Sequence, residues 1–527
     1  MSFGDVSRWR RWVGTRDKCP RLVRKAKEFD SEQSRRHDPF NLFTPATTFA
    51  IQQTMGSFST MWSAIGAMKG GRMKRKGIVR VAGIALVFGT VAFAQRCGTA
   101  GTQQPAPAGG QAPATTAQEH TSAADWNAAA VKAYRAKDYK TFLTDERKGL
   151  ALEPENPRLI YNAACGEALN GNAKEAVALL DQLLARKLDL GAETDGDFAG
   201  IRNTEEWAQF EAKLAELRRP VVRSTVGFKL EEPGLVAAGM AFEGTTGDFY
   251  ITSVRGRKIV RRAKDGKVTD FVREGQDGFL AGAGLAIDGP RNLLYASTAG
   301  VPFMKGAQKD DDGRAGLFAF DLKTGKTMRK VWLPTDGKKH FLNNLAVGRA
   351  GNVYVSDSLN SGIYELRRDA STLDEIAPPA MFTGSQGLAL SDDEKTLFVG
   401  DFGGGVWALD LATKAKRRIP APADAYLVGL DGLAKVHDGF VTVQLQVRPA
   451  RVVRLHMDPQ WQRVVSVETL ESNHPEYDAP IQGTLAEGAF WYVADSQLET
   501  LDPKTGKFPA EKAKATVVLR LPLAPSP

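Results

Sequence analysis

Residues 385–401, SQGLALSDDEKTLFVGD, contain the pattern that decides the fold of this 527-residue chain. A Gly-containing turn leads into a short apolar stretch, and an aromatic-rich strand that ends in a small or acidic residue follows. The pattern occurs six times. The residue that corresponds to Gly387 in the quoted stretch is, in order along the chain, Gly239, Gly284, Asn344, Gly387, Gly432 and Gly483. The copies lie 45, 60, 43, 45 and 51 residues apart, and periods of this length are typical of β-propeller blades.

The segments between these copies also favour strands over helices. Apolar and polar residues alternate there, and a further short strand that ends in charge follows each copy. Turn residues such as Asp265-Gly266 provide tight hairpins. Residues 221–520 contain close to 50 residues per copy, enough for four short strands each. We therefore predict a mainly β fold, with a six-bladed β-propeller over residues 221–520.

Residues 123–219 show helical periodicity instead. Two 34-residue units, 123–156 and 157–190, match each other, and the second has an apolar face with i, i+3 and i+4 spacing. A third helical segment, 204–218, follows them. We predict a small α-helical, tetratricopeptide-like domain at 123–219. It either binds a protein partner or packs against the propeller as a support.

The basic charge of the chain belongs to its N-terminal part. Residues 1–80 contain 17 Lys and Arg against 6 Asp and Glu, a net charge of +11, so the remainder carries −2 of the total of +9. This distribution gives no support for nucleic-acid binding by the folded body. Basic residues at 74–76, an apolar run at 81–93 and the cleavage motif Ala92-Phe93-Ala94 predict a signal peptide at 73–94. The protein is therefore expected to be periplasmic or secreted.

The alternative for 73–94 is an uncleaved membrane anchor, which the short apolar run disfavours. After cleavage, we expect no stable membrane span. Since 72 residues precede the signal, we interpret residues 1–72 as a non-native or disordered extension, with translation beginning at Met73. Residues 95–122 are predicted to be a flexible linker. The two cysteines that follow the cleavage motif, Cys97 and Cys165, form neither a disulfide framework nor a zinc site.

Propeller function is expected where the turns that lead into the innermost strands converge on the central channel. The residues that precede the repeated positions are, in blade order, Ala238, Ala283, Asn343, Gln386, Asp431 and Gln482. The last four carry side-chain oxygen atoms, which hard cations such as Ca²⁺ and Mg²⁺ prefer. For Asp431 the alternative is ordinary Asp-Gly turn chemistry.

The turns LNNLAV, SQGLAL and LDGLAK, each followed by a strand such as VYVSD or LFVGD, resemble those of the gluconolactonase and senescence-marker (regucalcin) family. The resemblance covers roughly residues 225–505. It implies six blades, one divalent metal ion (Ca²⁺, Mg²⁺ or Zn²⁺) in the channel, and hydrolysis of a sugar lactone or a related ester. Carried over, the metal ligands are Asn343, Gln386 and Asp431, and Asp431 is also the expected catalytic base.

The chain departs from the family pattern at two positions. Ala238 stands where the family has a Glu ligand, and Asn344 replaces an Asp. One carboxylate and two amides would bind a metal weakly, unless Glu243 or another acid substitutes. His340 and Gln482 are predicted to bind substrate, with a solvated loop position as the alternative for His340.

The alternative for the whole protein is a non-catalytic binding propeller. Its channel would hold a small ligand, and its helical module would dock a protein partner.

Overall fold

The structure is a computed structural model that describes residues 121–379, 381–502 and 507–524. The predicted extension and signal peptide, and the linker up to residue 120, lie outside the described residues. Within the described part, an α-helical module precedes six four-stranded sheets. No helix in this part is both long enough and apolar enough to cross a bilayer.

The helical module contains α1 (Ala123–Arg135), α2 (Tyr139–Leu152), α3 (Pro157–Leu169), α4 (Ala173–Ala185) and α5 (Glu205–Leu217). Helices α1 and α3 begin 34 residues apart, and so do α2 and α4. Side chains determine the helix starts: Ser122 forms a capping box with Asp125, and Thr204 accepts the backbone N–H of Trp207. The expected helices are present, and kinship with tetratricopeptide repeats stays a prediction.

In every sheet of the propeller, strands that are neighbours in the sheet pair antiparallel. The first sheet contains β2 (Ala237–Glu243), β3 (Asp248–Ser253), β4 (Lys258–Arg262) and β5 (Val268–Val272). The second contains β6 (Ala281–Asp288), β7 (Leu293–Ala299), β8 (Ala315–Asp321) and β9 (Thr327–Trp332). The third contains β10 (Leu342–Val347), β11 (Val353–Asp357), β12 (Gly362–Leu366) and β13 (Asp374–Ala377).

The other three sheets repeat this arrangement. The fourth contains β14 (Ser385–Leu390), β15 (Thr396–Asp401), β16 (Gly405–Asp410) and β17 (Lys416–Arg418). The fifth contains β18 (Leu430–Val436), β19 (Gly439–Gln444), β20 (Arg451–Met457) and β21 (Val464–Ser472). The sixth contains β22 (Ile481–Ala486), β23 (Ala489–Val493), β24 (Thr516–Pro522) and β1 (Thr225–Leu230).

The sixth sheet closes the ring, because its outermost strand comes from the start of the propeller. Strand β1 pairs with β24, with Thr225 opposite Arg520 and Leu230 opposite Thr516. The first strands β2, β6, β10, β14, β18 and β22 contact one another in a closed circle and surround the channel. The predicted six-bladed β-propeller is confirmed.

Neighbouring innermost strands approach closely at four of the six repeated positions, where an added Cβ atom would lie within 3.0 Å of the next blade: Gly239, Gly284, Gly387 and Gly432. A Cβ atom at Gly239 would lie 2.1 Å from the backbone oxygen of Ala283, and one at Gly284 would lie 2.1 Å from that of Asn343. Neither glycine has left-handed backbone geometry. At Gly239 and Gly284 the glycine therefore reflects contact between successive blades rather than the demand of a turn.

Buried hydroxyl groups connect the first blades at the same place. Thr252 Oγ1 accepts the backbone N–H of Gly239 at 2.7 Å and donates to the backbone oxygen of Ala283 in the next blade at 2.6 Å. Ser297 Oγ accepts from Gly284 at 2.8 Å and donates to the third blade at 2.7 Å. Both hydroxyls are fully buried, and their bonds hold the innermost strands in register with one another.

The helical module packs against the fifth blade at the upper rim, our name for the end of the channel where the innermost strands begin. The loop between β19 and β20 contributes Val447 to the helical core, and the backbone oxygen of Arg448 accepts the N–H of Asp189 at 2.8 Å. Buried Arg451 donates to the backbone oxygen of Lys187 at 2.8 Å. The helical module is thereby attached beside the opening of the channel.

Replacing Gly284 with Ala is expected to destabilise the propeller, because the new Cβ atom would overlap the backbone oxygen of Asn343. Overpacking of this kind costs about 1–3 kcal/mol, which calorimetry would record as a lower melting temperature. Gly289→Ala is the matched control, since a Cβ atom there meets nothing within 4 Å. Equal melting temperatures for the two variants would contradict a requirement for close approach.

Candidate ligand site in the propeller channel

Each innermost strand has an irregularity in its pairing near the residue that the sequence singled out. The register of β10 with β11 shifts between Leu342 and Leu345, and that of β14 with β15 shifts between Ser385 and Leu388. Corresponding shifts occur in the other four sheets. Such bulges re-aim side chains, and here they occur where the six strands surround the channel.

A cavity of about 40 Å³ opens at the upper rim of the channel. Five of the six predicted positions line it, and Ala283 is the exception. The lining residues are Ala238, Asn343, Gln386, Asp431 and Gln482, together with Phe402, Leu445, Ala479, Ile481 and Leu498. The space is sufficient for a few water molecules or for one functional group of a ligand.

The amide side chains around the cavity are hydrogen-bonded to one another. Asn343 Nδ2 donates to Gln386 Oε1 at 2.6 Å, and Nδ2 of Asn344 donates to the same oxygen at 3.4 Å. Both asparagines are buried, whereas Gln386 is half-buried. The oxygen of Gln386 is therefore occupied by amide N–H donors.

Asp431 is the one carboxylate among the described residues that line the cavity. Its side chain is 8% exposed, and its Oδ2 accepts the backbone N–H of Gln482 at 3.1 Å. Burial raises the pKa of Asp431 to about 6, against the opposing hydrogen bonds from Gln482 and Asn344. The carboxyl group can therefore gain or lose a proton close to neutral pH.

Glu243 does not replace the missing acid of the first blade. It lies at the opposite end of β2, where its carboxylate accepts the backbone N–H groups of Thr245 at 2.9 Å and Thr246 at 2.6 Å. The carboxylate closes a turn between two strands. The channel cavity consequently has a single acidic group.

His340 also lies away from the cavity. It is 6% exposed, with Nδ1 2.6 Å from Asp357 Oδ2 and Nε2 3.1 Å from Asp336 Oδ1. Burial opposes protonation of the ring, but the hydrogen bonds and charges of the two carboxylates outweigh it and raise the pKa of His340. The structure thus places His340 in an ion pair within the third blade, where it is buried from solvent and does not line the cavity.

The residues around the cavity do not fit a tightly bound divalent cation. Ca²⁺ takes six to eight oxygen ligands, Mg²⁺ takes six including several waters, and tight binding requires sufficient ligand charge, but Asp431 is the single carboxylate and Ala238 provides no ligand atom. The oxygen of Gln386 already accepts N–H donors. Zn²⁺ prefers His and Cys ligands, and neither lines the cavity in the described part of the chain. We assign no metal-dependent step to this site.

A second group of potential ligands lies in the helical module, where single ligand atoms of Cys165, Asp195 and Asp197 lie within 4.8 Å of one another. Both carboxylates already accept hydrogen bonds there. Tyr134 donates to Asp197 at 2.8 Å, and Tyr161 donates to Asp195 at 2.9 Å. These bonds join α1 and α3 to the segment before α5, so we interpret the group as structural.

Sequence reasoning missed the apolar half of the cavity. Phe402 and Leu445 each follow the last residue of a second strand, β15 and β19 respectively, at the same rim. Their position in the repeat, directly after an aromatic-rich strand, is the sequence signal that could have identified Phe402 and Leu445.

The fold and the cavity define a six-bladed β-propeller with a polar, single-carboxylate site at one end of its channel. No family model and no curated protein matches the sequence. Solved structures that resemble the chain include a luciferin-regenerating enzyme, with 13% identity, a TM-score of 0.41, and coverage of 58% of this chain and 96% of that chain. A gluconolactonase from Xanthomonas campestris has 16% identity, a TM-score of 0.39, and coverage of 58% and 93%.

A streptogramin B lyase is a third such structure, with 11% identity, a TM-score of 0.38, and coverage of 57% of this chain and 87% of that chain. Similarities of this size carry no argument about the activity of the chain. The six sheets define the propeller by themselves.

Replacing Asp431 with Asn is expected to stabilise the protein at pH 8 and to have little effect at pH 4. The folded-state pKa of about 6 exceeds the ordinary value of 3.8, so the folded state binds the proton more tightly than the unfolded state. The free energy of unfolding of the wild type therefore falls as the pH rises from 4 through 6. The loss above pH 6 is about 3 kcal/mol for a shift of this size, and calorimetry at both pH values would measure it.

The matched control is Asp392→Asn, which removes the same charge from an exposed turn between β14 and β15. Burial disfavours the charged form of Asp431 but not that of the exposed Asp392. We therefore expect Asp392→Asn to bring no gain in stability at pH 8. An Asp431→Asn protein that melts below the wild type at pH 8 would contradict the unfavourable burial of this charge.

Proposed function

We propose that this protein is a non-catalytic binding propeller whose channel recognises an uncharged polar group, such as a hydroxyl or carbonyl, of a small ligand. The observation that carries the proposal is the composition of the cavity, in which one buried carboxyl group is surrounded by amide side chains. No second acid accompanies Asp431 among the described residues that line it.

The chemistry of the lining fits such a group. The Asp431 carboxyl and the amides of Asn343 and Gln482 provide acceptors and donors together, and a hydroxyl group needs both. Phe402, Leu445 and the other apolar side chains can cover the carbon atoms of the ligand. A few convergent polar groups in a mostly apolar recess are typical of small-molecule sites.

The size of the cavity limits what enters it. About 40 Å³ accommodates one functional group, whereas sites that enclose a drug-sized molecule have about 300 Å³ or more. The remainder of the ligand would lie at the upper rim, beside the loop that carries Leu445 and Val447. Because Val447 packs into the helical core, the helical module at 123–219 would border the bound ligand and could dock a protein partner there.

The proposal includes export of the protein from the cytoplasm. The segment at 73–94 supports a periplasmic or secreted location, in which a binding propeller would meet ligands from outside the cell. The described residues contain no helix suited to crossing a membrane.

Hydrolysis of a sugar lactone or ester is the second candidate function, and the pKa of Asp431 favours it. A carboxyl group with a pKa of about 6 suits proton transfer near neutral pH. In this reaction Asp431 would accept a proton from the attacking water and return it to the leaving oxygen. The cavity lacks both a second acid and a fitting metal site, so this candidate ranks below binding.

The test is saturation-transfer NMR on the purified protein with glycerol, erythritol and sorbitol as probes. We expect saturation of at least one polyol, lost in Asp431→Ala and retained in Asp392→Asn. We expect no acceleration of glucono-δ-lactone hydrolysis, and no micromolar binding of Ca²⁺, Mg²⁺ or Zn²⁺ by calorimetry.

Two outcomes would contradict the binding proposal. If no polyol binds, or if all bind equally well to Asp431→Ala, the channel is not the site. Lactone hydrolysis that depends on Asp431 would instead establish the second candidate function. If that hydrolysis also required a divalent ion, the channel would contain a metal site.

A further inference from the structure

The hairpin loop between β19 and β20, residues 445–450, connects the helical module with the channel. Leu445 at the start of this loop lines the channel cavity, whereas Val447 packs into the helical core. The segment that leads into β18 makes the same connection, since Tyr426 packs against the helical core and Asp431 lines the cavity. Two stretches of chain therefore run from the module to the proposed ligand site.

A buried glutamine joins these two stretches. Gln444 is fully buried, and its Nε2 donates to the backbone oxygens of Tyr426 at 2.9 Å and Val428 at 3.0 Å. The backbone N–H of the residue that follows Gln444 donates to the backbone oxygen of Gly429 at 2.9 Å. These bonds hold in place the backbone that immediately precedes Asp431.

Gln444 occupies a repeated position at which the third and fourth blades have an acid. Asp357 and Asp401 pair with the first residue of the innermost strand, as Gln444 does in the fifth blade. Those carboxylates accept the backbone N–H groups of Phe341 at 3.1 Å and Thr383 at 2.9 Å. A carboxylate only accepts, whereas an amide side chain donates from its nitrogen and accepts at its oxygen. The fifth blade therefore has a side chain here that joins an acceptor on one side to a donor on the other.

The donor is Arg451, the first residue of β20. Its Nε donates to Gln444 Oε1 at 2.6 Å, and its Nη1 donates to the backbone oxygen of Lys187 in the helical module at 2.8 Å. The corresponding residues of the third and fourth blades are Gly362 and Gly405. Lys187 follows closely after α4, so the guanidinium lies near the C-terminal end of a helix, where a positive charge is favoured.

The burial of Arg451 makes its position sensitive to the helical module. The residue is 4% exposed and forms no ion pair with the described residues, and burial lowers the pKa of its guanidinium to about 10. A buried charge without a counter-ion is costly unless it is hydrogen-bonded. The oxygen of Lys187 accepts one of the two bonds given above. Displacement of the module would therefore remove that bond and allow the guanidinium to move away from Gln444.

We propose that Gln444 and Arg451 are positioning residues of the channel site, and that they make its affinity for ligand depend on the docked helical module. With the module in place, Arg451 fixes Gln444, and Gln444 fixes the backbone that leads to Asp431. Thermodynamic linkage makes the effect reciprocal, so a ligand in the channel also stabilises the docked module. The dependence of ligand affinity on the module rests on the proposed function, whereas the position of Asp431 rests on these hydrogen bonds alone.

The first test needs no ligand, because it measures the burial of Asp431 in the full-length protein. Asp431→Asn is combined with Arg451→Met and, separately, with Gln444→Glu, and calorimetry gives the melting temperatures at pH 8, with pH 4 as the reference. In the wild-type background, Asp431→Asn is expected to raise the melting temperature at pH 8. That rise should fall by about half or more in both variant backgrounds, because water then reaches the carboxylate through the loosened segment.

The direction of this change separates positioning from electrostatics. Arg451→Met removes a positive charge and Gln444→Glu adds a negative one, so the changed charge alone would increase the effect of Asp431→Asn. A decrease has to come from exposure of the carboxylate. Gln444→Glu also decides the test if Arg451→Met does not fold, because its carboxylate retains an acceptor for Arg451 and lacks only the amide donors.

The matched control is Arg454→Met. Arg454 is a second buried arginine of β20, and it pairs with Asp438 at the end of the channel opposite the upper rim. Its loss should lower the melting temperature of the protein but leave the effect of Asp431→Asn unchanged.

The second test measures the affinities of glycerol, erythritol and sorbitol by saturation-transfer NMR. Arg451→Met and Gln444→Glu should each weaken the binding of a polyol about fivefold or more, and Arg454→Met should retain the wild-type affinity. If no polyol binds to the wild type, the proposed function fails, and the melting temperatures still decide whether Gln444 and Arg451 position Asp431.

Two results would overturn the positioning role. One is an unchanged effect of Asp431→Asn on the melting temperature in both the Arg451→Met and the Gln444→Glu backgrounds. The other is an equal decrease in the Arg454→Met background, which would show a general loosening of the fifth blade.

Discussion

The close contact between successive innermost strands is the constraint on which the rest of the molecule depends. At Gly239 and Gly284 the backbone of the next blade occupies the space of a side chain. The hydroxyls of Thr252 and Ser297 then bind across the same gap. Because the residue before each repeated position lies in the same irregular stretch, the contact that assembles the ring also directs five side chains into one cavity.

The periodicity of the sequence was sufficient for the fold and for most of the channel site. It identified the six blades, and it brought Asn343, Gln386, Asp431 and Gln482 together, because residues at one position of a repeat occupy one position in a ring. It could not show that Gln386 accepts a hydrogen bond from Asn343, since bonding between neighbouring blades depends on side-chain geometry. The expectation of a metal therefore rested on residue types that the structure shows bonded to one another.

Local sequence did not predict the positions of side chains that are determined by contacts between distant parts of the chain. His340 follows two lysines and looks solvated, yet Asp357, 17 residues later in the chain, draws it into the third blade. The apolar wall of the channel cavity comes from residues that follow second strands and carry no polar signal. The docking of the helical module through Val447 and Arg451 joins residues more than 200 positions apart, which no period could indicate.

The pairing of β1 with β24 has a consequence for how this chain is made. Residues 225–230 leave the ribosome almost 300 residues before their partner strand at 516–522. During that interval β1 is an unpaired strand edge, and the ring cannot close until the last strand is synthesised. Non-local pairings of this kind slow folding and expose edges that invite aggregation. In a six-bladed chain closed in this manner, the first strand therefore stays unpaired until synthesis of the propeller is almost complete.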